Sequence, residues 1–163
     1  MNSGTASSIN LSFISALTSI EIASSLGPQV ADISAPCSAI PLKGVLDAED
    51  AAMAAKTGAD ALIVSNHGGR QLDGAESSIA MLSEIEAAVG KDIEVWMDGG
   101  IRSGQVILKA VALGAKGTLL GRSFLYGLGA GGEAGVTKAL EILHKELDMT
   151  MALCGHRDIH KVS

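Results

Sequence analysis

The sequence predicts an α/β fold built on a parallel sheet, and three observations carry that prediction. Short aliphatic runs recur at intervals of about 20 to 30 residues, each followed by a segment of helical periodicity. Polar, glycine-bearing loops follow the last three of these runs. The core material is Ala, Val, Ile and Leu: 47% of the 163 residues are hydrophobic, yet the aromatics are Phe13, Phe124, Tyr126 and Trp96 alone. Small aliphatic side chains with 20 glycines suit strands and helices packed in layers.

In order, Leu42-Lys43-Gly44-Val45-Leu46 reads as the first strand, and Asp47 can cap a helix that runs through Lys56 and closes at Gly58. Ala61 to Val64 is the second strand, and Ile79, Leu82, Ile85 and Val89 form a helical stripe that stops at Gly90. Ile93 to Met97 is the third strand, with Ile107, Leu108 and Val111 marking a helix that ends at Gly114. Thr118-Leu119-Leu120 is the fourth. A long helix is expected from about Glu133 to Leu153, burying Val136, Leu140, Leu143 and Leu147, and the tail from Gly155 to Ser163 reads as polar and irregular.

Residues 1–40 differ from residues 41–163. They are rich in Ser and Ala, carry only Glu21 and Asp32 as charges, and show no clean period, although Ile14, Leu17 and Ile20 suggest a helix from about Leu11 to Ser25. The chain therefore divides into an atypical N-terminal segment and one domain of about four β-α units. Four such units with right-handed crossovers fit an open doubly wound sheet or half of an eight-stranded (β/α)8 barrel. Functional loops after three successive strands fall on one face, which favours the barrel.

A formal net charge of -6 argues against general affinity for nucleic acid or an anionic membrane, so a small-molecule partner is expected. Cys37 and Cys154 have no paired spacing, so no metal site or disulfide framework is indicated. Both read as buried packing residues of a reduced cytosolic protein. No run of about 20 apolar residues exists to span a membrane, and no Lys or Arg precedes Lys43, which weakens a signal peptide at Ile9 to Ala23. A cytoplasmic location, or one peripheral to the inner face of a membrane, is expected.

Chemistry concentrates in Ser65-Asn66-His67-Gly68-Gly69-Arg70-Gln71-Leu72-Asp73-Gly74, directly after the second strand. His67 can act as a general base near neutral pH, and the Arg70 guanidinium fits a carboxylate or phosphate. Gly68 and Gly69 permit a sharp turn between them. The plainer alternative is a surface histidine in a hydrogen-bonded turn. Asp98-Gly99-Gly100-Ile101-Arg102 and Gly121-Arg122 follow the next two strands, and each combines backbone amides with a guanidinium, as phosphate binding requires. Taken singly they are turn signals. Lys43 lies inside a strand, where its charge needs a ligand, a carboxylate or water.

These segments, with Leu125-Tyr126-Gly127 and Met151-Ala152-Leu153-Cys154-Gly155, occur in order and closely resemble the FMN-dependent 2-hydroxy acid dehydrogenase and oxidase family, which includes cytochrome-type L-lactate dehydrogenase, glycolate oxidase and mandelate dehydrogenase. The resemblance covers about residues 41 to 163 and corresponds to the C-terminal half of the family's (β/α)8 barrel. Another FMN or phosphate-binding barrel, such as the inosinate dehydrogenase group, does not account for the Ser65 to Gly74 loop.

The resemblance implies FMN as cofactor and a small L-2-hydroxy acid, with L-lactate the best guess, oxidised to the 2-oxo acid. Lys43 looks like the lysine beside the flavin ring and Ser65 like a further flavin contact. His67 looks like the base that removes a proton from either carbon or hydroxyl, and Arg70 like the partner of the substrate carboxylate. Asp98, Gly99, Gly100, Ile101 and Arg102, with Gly121 and Arg122, match the segments holding the ribityl phosphate. The electron acceptor is left open.

Two departures stand out. The first 42 residues do not show the family's earlier strands, which bring further flavin contacts, substrate-binding tyrosines and the aspartate that orients the base. Asp73 is expected to be structural, and Tyr126 follows the last strand, so neither fills those roles. Val106 replaces a usual Asp at the start of a helix, which weakens a cap or polar contact worth about 1 kcal/mol. A half barrel also leaves two sheet edges open, and self-association is expected. The rival reading is a non-catalytic half-barrel fragment that binds FMN or phosphate at best.

Overall fold

A computed structural model describes residues 41–162 of the chain. The helix expected between Leu11 and Ser25, Cys37 and the whole of the N-terminal segment lie outside them. Four strands, β1 (Pro41–Val45), β2 (Ala61–Val64), β3 (Glu94–Asp98) and β4 (Gly117–Leu119), pair in the order β1-β2-β3-β4, all parallel. The crossovers are α1 (Ala48–Ala55), α2 (Ser78–Val89) and α3 (Gly104–Ala112), and α4 (Arg122–Leu153) follows β4. Strand order equal to chain order, with one helix per crossover, is the wall of a barrel rather than a doubly wound sheet, whose order reverses at a switch point.

The side-chain period of two divides each strand between two faces. Leu62, Val64, Val95 and Met97 point to the helix layer, where they are buried with Ala51, Leu82, Ile85 and Ile107. Register pairs Lys43 with Ile63 and Ile63 with Trp96, so these side chains share the opposite face. Ser65 and Asp98 stand two residues further along that face. This alternation delivers the polar strand-end residues to one place.

Helix starts follow simple chemistry. Asp47 caps α1, its Oδ1 accepting from the Glu49 and Asp50 amides. Ser103 caps α3 through the Val106 amide, so the cap half of the expected weakening is corrected: Val106 removes no cap. The strand boundaries shift by one residue from those expected at β1, β3 and β4.

Two larger expectations are corrected. Helix α4 begins at Arg122, eleven residues before Glu133, and breaks at Gly131 and Gly132. Its core residues are Phe124, Leu143, Leu147 and Met151, while Val136 and Leu140 are half-buried. The tail is also less irregular than expected: Ile159–Lys161 forms a 3-10 turn capped by Asp158, with Ile159 buried. Cys154 is exposed rather than buried, because it is the C-cap of α4 beyond the last core residue. Among the described residues no helix is long and apolar enough to cross a membrane.

Candidate active site

The C-terminal ends of the four strands open into one cleft of about 920 Å³. Lys43, His67, Arg70, Asp98, Gly99, Gly100, Ile101, Arg102, Gly121 and Arg122 all line it. Ser65, fully buried, lies beneath and joins its neighbours. Every site residue expected from sequence is thus brought to the same end of the sheet.

The strand ends are cross-linked by side chains. Lys43 Nζ stands 2.7 Å from Asp98 Oδ2 and donates to Ser65 Oγ at 2.8 Å, tying β1 to both β2 and β3. The Lys43 charge therefore meets a carboxylate, answering the strand position that required a partner. The same Ser65 Oγ accepts from the His67 amide at 3.1 Å and fixes the start of the loop after β2. Asp98 Oδ1 is buried and, among the described residues, has no hydrogen-bond partner. An unsatisfied acceptor of this kind beside a cleft fits a ligand that brings a donor.

His67 takes φ +54, the only non-glycine among the described residues with positive φ. Such backbone strain persists where surrounding structure over-determines it. Here a 3-10 turn, His67–Gly69, is held by Asn66, whose Oδ1 accepts from the Gly68 amide at 3.0 Å and whose own amide donates to Ser78 Oγ at 3.1 Å. The imidazole lies against Gly44. A Cβ added at Gly44 would stand 2.5 Å from His67 Cε1, and Gly44 itself has φ +104 at the register shift between Lys43 and Val45. The bulge in β1 is thus the seat of the ring, a role the Lys-Gly dipeptide did not disclose. Asp73 is exposed and does not line the cleft.

At the other end, the loop after β3 and the start of α4 face each other. Gly121 caps α4 without a side-chain hydrogen bond, leaving first-turn amides for a ligand. Ser123 Oγ donates to the Ile101 carbonyl at 2.7 Å, which holds that helix start to the loop. Ile101 is buried, so its side chain serves packing while its carbonyl locks the loop. Arg102 is exposed and Arg122 borders Gly68. Two guanidiniums and free first-turn amides form a donor set that fits a phosphate, while the unpartnered Asp98 oxygen is an acceptor that fits a ligand N–H or O–H.

Sequence reasoning missed the apolar wall. Leu125 and Tyr126, with Ala139, Ile142 and Leu143, line the cleft from the two segments of α4. The Leu125-Tyr126-Gly127 motif was visible, but the reversal that turns both segments toward the cleft needed two glycines whose effect is conformational.

A family model described as FMN-dependent dehydrogenase matches residues 30–163, starting before the described residues. An L-lactate dehydrogenase of Caulobacter vibrioides is 52% identical over 122 residues, covering 75% of this chain and 32% of that protein. An L-lactate oxidase of Nostoc sp. is 55% identical over 114 residues, covering 70% and 31%. A mandelate oxidase crystal structure aligns with TM-score 0.74 and 49% identity over 76% of this chain and 37% of its own. The chain spans about a third of the length of these relatives. The described residues therefore form consecutive β-α units of a (β/α)8 barrel, and the chain belongs to the FMN-dependent dehydrogenase family.

Proposed function

We propose that this chain supplies the C-terminal half of an FMN-dependent site that oxidises a small L-2-hydroxy acid, L-lactate before mandelate, to its 2-oxo acid. One observation carries the reading: the base, the guanidinium and the lysine-carboxylate pair converge with a phosphate-type donor set on one cleft. The preference for L-lactate is supported by the L-lactate names of the relatives at 52% and 55% identity.

Bound FMN would supply the two-electron acceptor. Arg102, Arg122, Gly121 and the Gly99-Gly100 backbone would hold its phosphate end, with Lys43, Ser65 and Asp98 at the ring end. Arg70 pairs with the substrate carboxylate through its fork, fixing the 2-carbon near His67. His67 then takes a proton from the substrate at an imidazole nitrogen, its ring held against Gly44. The apolar side chains of Leu125 and Ile142 line one wall of the cleft.

A second reading, a half-barrel that binds FMN or phosphate without turnover, is favoured by the open rim: Tyr126 is 72% exposed and Leu125 50% exposed at the cleft. The edges of β1 and β4 also lack strand partners among the described residues, and self-association through them belongs to both readings. Light scattering that shows a monomer disposes of it.

The deciding experiment is a flavin absorption spectrum of the purified chain followed by anaerobic L-lactate. Bleaching that is lost in His67→Ala supports catalysis. Flavin that stays oxidised supports the binding fragment, and a chain that takes up no FMN refutes both.

A further inference from the structure

The broken helix α4 controls the phosphate end in a way its residue types do not advertise. Gly131 lies at φ -155 and Gly132 at φ +58 and ψ -138, so the first segment stops there and a second begins. Gly127 and Gly135 are eight residues apart, which an unbroken helix would separate by about 12 Å. Their backbones instead touch. A Cβ on Gly127 would stand 2.5 Å from the Gly135 carbonyl oxygen and 3.2 Å from Ala139 Cβ, and a Cβ on Gly135 would overlap the Gly127 carbonyl oxygen. The two segments fold back on each other with no side chain between these two positions.

Each segment is anchored at a different place. The first hangs from the β3 loop through Ser123 and Ile101. The second is seated in the core by Leu143 and Leu147 and on α3, where Glu146 Oε2 accepts from the Gly104 amide at 3.0 Å. Gly104 also leaves room for the Leu147 backbone. With both ends pinned, the glycine contact sets the spacing between a fixed floor and the helix start that carries Gly121 and Arg122. One added methyl must push the two segments apart, and the first, with Phe124 as its one core residue against Leu143, Leu147 and Met151 in the second, is the one that moves.

We infer that Gly127 and Gly135 are positioning residues that aim the first-turn amides of α4 and the Arg122 guanidinium at the ligand's phosphate. The inference rests on the FMN reading above and deepens it. The contact acts first on the phosphate end, since Lys43, Ser65 and His67 are tied to one another from β1 and β2.

Riboflavin, which lacks the phosphate, separates the two ends. Fluorescence titration of the full chain should show FMN binding at least about tenfold tighter than riboflavin, the worth of one or more charge-assisted hydrogen bonds. Gly127→Ala and Gly135→Ala should bring that ratio to within about threefold while riboflavin affinity holds. Gly129→Ala, in the same segment with open space at its Cβ, should keep the ratio. General loss of fold weakens both flavins together and leaves the ratio intact, so a ratio retained in either glycine variant that still binds flavin overturns the inference. Should Gly135→Ala not fold, Gly127→Ala carries the measurement. FMN that binds no tighter than riboflavin to the unsubstituted chain overturns the phosphate reading and the positioning role with it. FMN preference in the unsubstituted chain that survives in either flavin-binding variant defeats the positioning role alone.

Discussion

The two ends of the cleft are built by different means. At the ring end, β1, β2 and β3 are stitched by side chains, with Lys43 bridging Ser65 and Asp98 and the Ser65 hydroxyl catching the His67 amide. At the phosphate end, almost no side chain bonds to another. Position comes from glycine backbone, from one Ser123 to Ile101 hydrogen bond, and from a helix folded on itself. In the proposed function a charge network would fix the groups that meet a reacting carbon, whereas a ready surface of amides suits an anion that only has to be held. The two ends should therefore fail separately when mutated.

The largest effect is expected at the seat of the His67 ring. Gly44→Ala places a methyl against His67 Cε1 and forces a side chain onto φ +104. If the chain reduces flavin with L-lactate, this substitution should slow bleaching by about 100-fold, the scale for an angstrom-level misplacement of a reacting group. FMN affinity should change little. Stopped-flow reduction beside equilibrium flavin binding tests this, and equal losses in both would erase the distinction between the ends.

The same contrast explains what could be read from the sequence. The four β-α units were legible because aliphatic runs, caps and stripes are local, and the placement of Lys43 within the first strand and of His67, Arg70 and Asp98 after later ones followed from period and spacing. What stayed hidden is conformational. Gly44 reads as a gap in a strand, not as the floor under an imidazole. The segment from Arg122 to Ala130 holds Gly127 and Gly129, so its helix was missed. The tail was missed for the opposite reason: one buried residue, Ile159, among polar neighbours gives no period. Cys154 was misjudged because cysteine is most often buried, whereas a helix C-cap faces solvent here.

Arg122→Ala should produce the mirror image of Gly44→Ala. FMN affinity is expected to fall by about tenfold, as for loss of a charge-assisted contact, while the bleaching rate per bound flavin holds. Titration with FMN, then reduction at saturating flavin, checks both halves. A changed rate at saturation would mean that the phosphate end steers chemistry.

A smaller effect is expected for the Lys43 to Asp98 pair. The Lys43 side chain is 37% exposed and that of Asp98 19% exposed, so solvent screens much of their attraction. A double-mutant cycle of Lys43→Met and Asp98→Asn, followed by urea unfolding, should give a coupling of about 0.5 to 1 kcal/mol. A value near zero would show that this bridge orients the ring end without stabilising the fold.

The weakest handle lies outside both ends and serves as the reference for them. Asp158 Oδ1 accepts from the His160 amide at 3.0 Å, with Lys161 nearby, and this backbone hydrogen bond first, then the Lys161 charge, holds its carboxyl below the usual 3.8. A depressed carboxyl contributes stability that is complete above 3.8 and is lost as pH falls through the lower folded value. Acidification below about 3.8 should therefore loosen the Ile159–Lys161 turn, seen as an upward-moving exchange rate of the His160 amide in NMR, corrected for intrinsic pH dependence. Asp158→Ala should abolish that step and leave the FMN to riboflavin ratio untouched, because the tail packs on α3 rather than on the cleft. A ratio that moved with this substitution would mean that α3 transmits strain to the Gly104 and Leu147 contact, and the two ends of the cleft would no longer be independent of the rest of the fold.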